Sequence, residues 1–174
     1  KVLQGYRGEN MIFKGIFPYP PMFDVLADEL AKLRSDMSKD VYSKGTEKYR
    51  GEREHELSKM GILGELIARD YLSLRPVKFR CAPLVDFRPV VEPDIILTDV
   101  HSYNKIDVKC AKEGAKDFYI NYDAFNNPEK DVNVYWFVKL ERHHEASHYL
   151  VKDVDVANNW KVKQTTYTKV YTSK

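Results

Sequence analysis

Four residues in the middle of this 174-residue chain have the types and spacing to do chemistry around a metal ion: Glu65, Asp94, Asp107 and Lys109. Pro93-Asp94 opens the run Ile95-Ile96-Leu97, and Lys105-Ile106-Asp107-Val108-Lys109-Cys110 follows. Side chains alternate faces along a strand, so Asp107 and Lys109 share one face while Ile106, Val108 and Cys110 point into the core. A hairpin turning near residues 101–104 would let the Asp94 and Asp107 carboxylates converge. Two convergent oxygen donors suit a hard cation such as Mg²⁺, which binds through one or two carboxylates plus phosphate and water. A lysine beside such an ion can orient or help deprotonate its water and stabilise negative charge growing on phosphorus. The plainer reading of the same residues is a surface hairpin with an Asp–Lys ion pair and a solvated Glu65.

The elements that must position these groups are legible in the periodicity. Pro18, Pro20 and Pro21 end an irregular segment over 1–21, and Phe23, Leu26, Leu30 and Leu33 then recur at helical spacing, which predicts a helix over 22–37. A second helix spans 52–74, with Leu57, Met60, Leu63 or Gly64, Ile67 and Tyr71 as its stripe, and Pro76 ends it. Glu65 falls on the side of Gly61, Ala68 and Leu72, at the edge of that stripe, whereas Glu52, Glu56 and Lys59 fall outside it. The small residues Gly61, Gly64 and Ala68 let this helix lie close to a sheet, bringing Glu65 within reach of the aspartates. After Pro76 the period changes to strands over 77–81, 91–98, 103–110, 117–121, 133–141 and 147–152, with turns at His101-Ser102 and Asn126-Asn127-Pro128. Two helices followed by strands predict an α/β (α+β) fold, a central mixed β-sheet flanked by helices.

Composition narrows the field. Hydrophobic residues make up 43% and charged residues 31%, enough apolar content for a core and too much for a disordered chain. No run reaches the ~20 apolar residues of a membrane helix, and no leader pattern opens the sequence. Cys81 and Cys110 are too few for a disulfide framework and read as reduced, buried thiols of a cytoplasmic protein. A net charge of +2 excludes a protein that holds nucleic acid by bulk charge, but not one with a local basic groove or a bound metal.

The order helix-Glu65, Pro93-Asp94 on a strand, then Asp107-Val108-Lys109 on the next strand resembles the PD-(D/E)xK nuclease superfamily over residues 52–152. The resemblance implies a restriction-endonuclease-like core and phosphodiester hydrolysis dependent on Mg²⁺ or Mn²⁺. Restriction enzymes, Holliday-junction resolvases, repair nucleases and phage nucleases belong to that group. It implies that Glu65, Asp94 and Asp107, with the Val108 carbonyl, hold the metal, and that Lys109 positions the attacking water, leaving a 5′-phosphate. The expected substrate is DNA, with RNA as the alternative; whether one subunit or a homodimer acts stays open at this point. The chain then reads as a single nuclease domain over 1–174, with an extension over 1–50, the core over 52–152 and a basic segment over 153–174. A non-catalytic nucleic-acid-binding module on the same fold is the alternative.

Other signals compete. His144-Glu145-Ala146-Ser147-His148 matches the HExxH zinc-peptidase pattern, which needs a helix so that both imidazoles face one Zn²⁺. Its flanks read as strands, which predicts a polar hairpin loop instead. His55 lies ten residues before Glu65, about 15 Å along a helix, too far to share its metal. Lys112, Lys116, Tyr119 and Asn121, beside Phe118 and Tyr122, could line a nucleic-acid groove, although Phe118 and Ile120 equally read as core. Lys161 and Lys163 sit in a tail, 156–174, that has no acidic residue; they suit phosphate contacts or a solvated edge strand whose lysines discourage pairing.

Overall fold

The computed structural model describes residues 12–42, 53–85, 92–165 and 168–173. In chain order the elements are β1 (Ile12–Pro18), α1 (Met22–Tyr42), α2 (Arg53–Ser73), β2 (Phe79–Cys81), β3 (Ile95–Leu97), β4 (Lys105–Ala111) and β5 (Tyr119–Asn121). There follow α3 (Tyr122–Phe125), β6 (Val134–Glu141), β7 (Glu145–Lys152), α4 (Asp153–Asn159), β8 (Lys161–Gln164) and β9 (Lys169–Thr172).

Six strands form one mixed sheet in the order β1-β7-β6-β4-β3-β2, as the sequence predicts in class. All neighbours are antiparallel except β4 and β6, whose parallel register runs from Ile106↔Val134 to Ala111↔Lys139. Parallel strands cannot be joined by a tight turn, so the chain makes a crossover between them that carries β5 and α3. A smaller sheet, β5-β9-β8, lies on the far side of the larger one from α2.

Strand β6 separates two cores. Its Val134, Trp136 and Val138 join Ile62, Leu63, Ile67 and Ala68 of α2 on one face. Its Tyr135 and Phe137 join Ile120, Val156 and Tyr171 on the other. With both faces covered, the strand is apolar from Val134 to Val138 rather than alternating.

Helix α1 starts behind Pro20 and Pro21, whose carbonyls accept from Phe23 N (2.9 Å) and Asp24 N (3.2 Å). It continues past residue 37 because nothing before Gly45 breaks a helix. Helix α2 lies tight against β4 at Gly64, where an added Cβ would lie 2.9 Å from Cys110 Cβ. At Gly61 it would meet nothing within 4 Å. The small-residue reading therefore holds for Gly64 and for Ala68, which is fully buried, but not for Gly61. Leu57, expected in the stripe, is exposed one turn beyond the contact.

Several expectations are corrected. Residues 12–18 are not irregular but form an edge strand on β7, disguised by a register break between Phe13 and Ile16. Gly15 sits in that break with a φ of 150°, a conformation side chains disfavour. The start of the basic tail holds a helix, α4, before its strands. The strand expected over 91–98 contracts to Ile95–Leu97; Val91, Glu52 and the polar stretch over 43–51 lie outside the described residues. Cys81 is exposed on the edge strand β2, so only Cys110, under α2, is a covered thiol. Among the described residues, no helix is long and apolar enough to cross a membrane.

Candidate metal and catalytic site

The β3–β4 ladder stops after Ile96↔Lys105 and Ile95↔Ile106. There the Asp94 carboxylate takes over, its Oδ2 accepting a hydrogen bond from Val108 N at 2.7 Å. A side chain thus replaces the next strand-to-strand bond and pins the start of β3 to the middle of β4. Backbone N–H and C=O of one strand residue project to the same edge, so the Val108 carbonyl is turned to the edge that Asp94 occupies.

Asp107 and Lys109 share the face of β4 opposite α2, as alternation predicts. Asp107 is 5% exposed. Its Oδ1 accepts from Lys130 Nζ at 2.7 Å, and its Oδ2 is ion-paired with Lys109 but receives no well-directed hydrogen bond. Glu65, 8% exposed, reaches the rim from α2, where Arg69 bridges its Oε2 (2.8 Å) to the Ala82 carbonyl (2.7 Å).

The electrostatics tie these groups together. Burial, then the Asp94 charge, pushes the Glu65 carboxyl up to about 8. Burial, then the Asp107 charge, raises Asp94. For Asp107, burial works upward, but the Lys109 and Lys130 ammoniums outweigh it and hold the carboxyl below its ordinary value. Burial works to lower Lys109, yet Asp107 and Asp94 outweigh it and raise the ammonium's pKa. Asp94 is the common neighbour, felt by Glu65 on one side and lying beside Asp107 on the other. Raised acids side by side, and a buried carboxylate oxygen without a directed donor, are what an oxygen-seeking divalent cation would relieve. The donor set fits such an ion. Among the described residues, however, no three His, Cys, Asp or Glu side chains converge on a single metal position. Asp94 and Asp107 are the close pair, and Glu65 is occupied by Arg69.

Two members of this cluster escape sequence reading. Arg69 stands four residues after Glu65 on one helix, a spacing that could have flagged it. Lys130 arrives from the crossover, and nothing local to it points at Asp107.

The histidine pattern folds as a hairpin. His143 and His144 adopt left-handed φ values of 58° and 57° in the β6–β7 turn. His144 Nδ1 lies 3.0 Å from Asp24 Oδ2, while His148 is buried in β7, its Nδ1 accepting from Trp136 Nε1 at 3.1 Å. The two rings serve different partners. His55 pairs with Asp28 of α1 at 3.1 Å, away from Glu65.

The proposed nucleic-acid contacts are dispersed. Lys112 and Lys116 are exposed in the loop after β4, Tyr119 is 48% exposed on β5, and Lys161 and Lys163 are exposed on β8, an outer strand of the small sheet. Asn121 is committed within the fold, capping α3 through Ala124 N (2.9 Å) and donating to Thr168 Oγ1 (3.1 Å). Phe118 and Ile120 are core, Phe118 stacking on Phe137. Comparison of the chain with protein-family models, curated proteins and solved structures finds no match.

Proposed function

We propose that this chain is a divalent-metal-dependent nuclease, an endonuclease that hydrolyses phosphodiester bonds of DNA. The observation that carries the reading is the Asp94–Val108 bond, which sets Asp94 beside the strand bearing Asp107 and Lys109. Asp94 and Asp107, with the Val108 carbonyl, would hold Mg²⁺ or Mn²⁺, and Glu65 would join them only on release from Arg69. Bound there, such an ion supplies Lewis-acid polarisation of a phosphate oxygen and lowers the pKa of water.

Lys109 acts as a charge. With its pKa raised by Asp107 and Asp94 against burial, it is an ammonium at neutral pH and cannot take a proton from water. It can donate to the attacking water and to a phosphate oxygen, which orients the one and stabilises charge growing on the other. Asp107 holds that ammonium in place through Oδ2. Attack of water at phosphorus would form the new P–O bond and break the P–O3′ bond, the water's proton passing to solvent and the 3′-oxygen leaving as a hydroxyl protonated from solvent, with a 5′-phosphate left behind. A single such site cuts one strand, so cleavage of both would use a second copy of the chain. The setting proposed is the cytoplasm, where the exposed Cys81 thiol stays reduced.

The test is incubation of the purified protein with plasmid DNA and Mg²⁺ or Mn²⁺. Lys109→Ala and Asp107→Ala are expected to lower the cleavage rate by about 10²-fold or more while retaining the folded circular dichroism spectrum. Cleavage unchanged in both variants would reject the assignment. A second reading, a nucleic-acid-binding module without catalysis, draws on the Arg69 grip on Glu65. That reading expects no Mn²⁺ binding heat that depends on Asp94 and Asp107.

A further inference from the structure

We propose that Lys130 is a built-in counter-ion, occupying Asp107 until a divalent cation displaces it. The inference rests on the metal-site reading above and extends it to a residue which that reading does not require.

The geometry is specific. Lys130 Nζ stands 2.7 Å from Asp107 Oδ1, with side-chain exposures of 14% and 7%. Lys109 already neutralises the same carboxylate at its other oxygen. Asp107 is thus paired at both oxygens, while the same two ammoniums also face the neighbouring Asp94. The pair is weak evidence for a purely stabilising role, since ion pairs buried to this degree are often replaceable as a whole by apolar residues at no loss.

The turn that presents Lys130 is itself fastened. Lys130 N donates to Asn127 O at 3.0 Å, and Glu129 N to Asn127 Oδ1 at 3.0 Å. Just beyond, Asn133 N donates to Lys105 O at 3.0 Å, Lys105 N to Asn133 Oδ1 at 2.9 Å, and Lys105 pairs with Asp131. The ammonium is therefore aimed at Asp107 from a segment anchored to the start of β4.

Lys130 is also dispensable to the strand in a way that Lys109 is not. It arrives on a flexible four-carbon stem from outside the sheet and can withdraw without disturbing the ladder. The Tyr135 ring, 5.9 Å from Nζ, offers the released ammonium a second, weaker seat. An arriving cation must then compete with a positive charge for Asp107 Oδ1. Lys130 acts through Asp107 and is a positioning residue.

Calorimetry with Mn²⁺ at neutral pH and low salt tests this on the full chain and on Lys130→Gln, Lys130→Arg and Asp107→Asn. Removing the competing charge is expected to tighten Mn²⁺ binding about tenfold or more in Lys130→Gln. Lys130→Arg, which keeps the charge, stays near the wild-type affinity, and Asp107→Asn loses the heat. A purely structural lysine would not tighten metal binding when removed. Equal or weaker affinity in Lys130→Gln overturns the proposal, as does loss of its cooperative thermal transition, which would make Lys130 a structural partner. Heat that depends on Asp107 but not on Lys130 removes only the counter-ion role. Absence of Asp107-dependent heat in every variant removes the metal site as well.

Discussion

At the scale of single residues, the acids differ in what burial does to them. Asp107 has two ammoniums and stays ionised, whereas Glu65 is pushed from an ordinary 4.5 to about 8, by burial first and Asp94 second. An acid whose folded pKa lies above its unfolded one stabilises the fold in its protonated form. Its contribution is whole below about 4.5 and is lost as pH rises toward 8. In metal-free protein the stability advantage of wild type over Glu65→Gln should therefore shrink by a few kcal/mol across that interval. Urea denaturation at several pH values measures it, and a flat difference would place the Glu65 pKa near its ordinary value. His148 runs the other way: burial first, then Arg75, pushes it down to about 4 from 6.5, so its contribution is present above 6.5 and lost as pH falls toward 4. It is common to both proteins and cancels in the difference. Of the proposed site, Glu65, Asp94, Asp107 and Lys109 were readable because their chemistry is written in strand alternation and in a helix stripe. Lys130 was not, because a contact across the crossover leaves no local pattern.

At the scale of elements, the site depends on how closely α2 lies against β4. Gly64 sets that distance, since its missing Cβ would stand 2.9 Å from Cys110 Cβ, an atom fixed to the strand backbone. Gly61, one turn earlier, faces open space. Identical substitutions should then have opposite signs. Gly61→Ala is expected to stabilise the protein by about 0.5–1 kcal/mol through helix propensity and a less flexible unfolded chain. Gly64→Ala is expected to destabilise it by about 1–2 kcal/mol net, because overpacking outweighs the same propensity gain. Chemical denaturation compares the two, and stabilisation by Gly64→Ala would mean that α2 has room to move outward. The sequence marks both glycines alike as small; only the docked helix tells them apart.

At the scale of the whole molecule, the larger sheet carries a core on each face, with β6 common to both. The acids and Lys109 gather where the β3–β4 ladder opens, while the exposed lysines of the small sheet, Lys161, Lys163 and Lys169, lie on β8 and β9. With a net charge of +2, any hold on DNA must be local. If β8 contributes, Lys161→Gln combined with Lys163→Gln should flatten the salt dependence of duplex binding by about two phosphate contacts, near 0.9 in slope for each. Fluorescence anisotropy without divalent metal reads this separately from cleavage. An unchanged slope would assign the contact elsewhere, with Lys112 and Lys116 next in line.

Period and punctuation alone were enough for the two long helices, strands β4 to β7, the mixed αβ class and the hairpin that parts His144 from His148. These are local properties, carried by apolar spacing and by Pro and Gly. Edge strand β1 escaped because a break at Gly15 interrupts its alternation, and α4 because seven residues give a helix too little period to register. Which acids become neighbours, which lysine answers Asp107 and which glycine bears the helix were settled by tertiary packing. Those relations join residues far apart in the chain, and their energies come from burial and proximity that no stretch of sequence contains on its own.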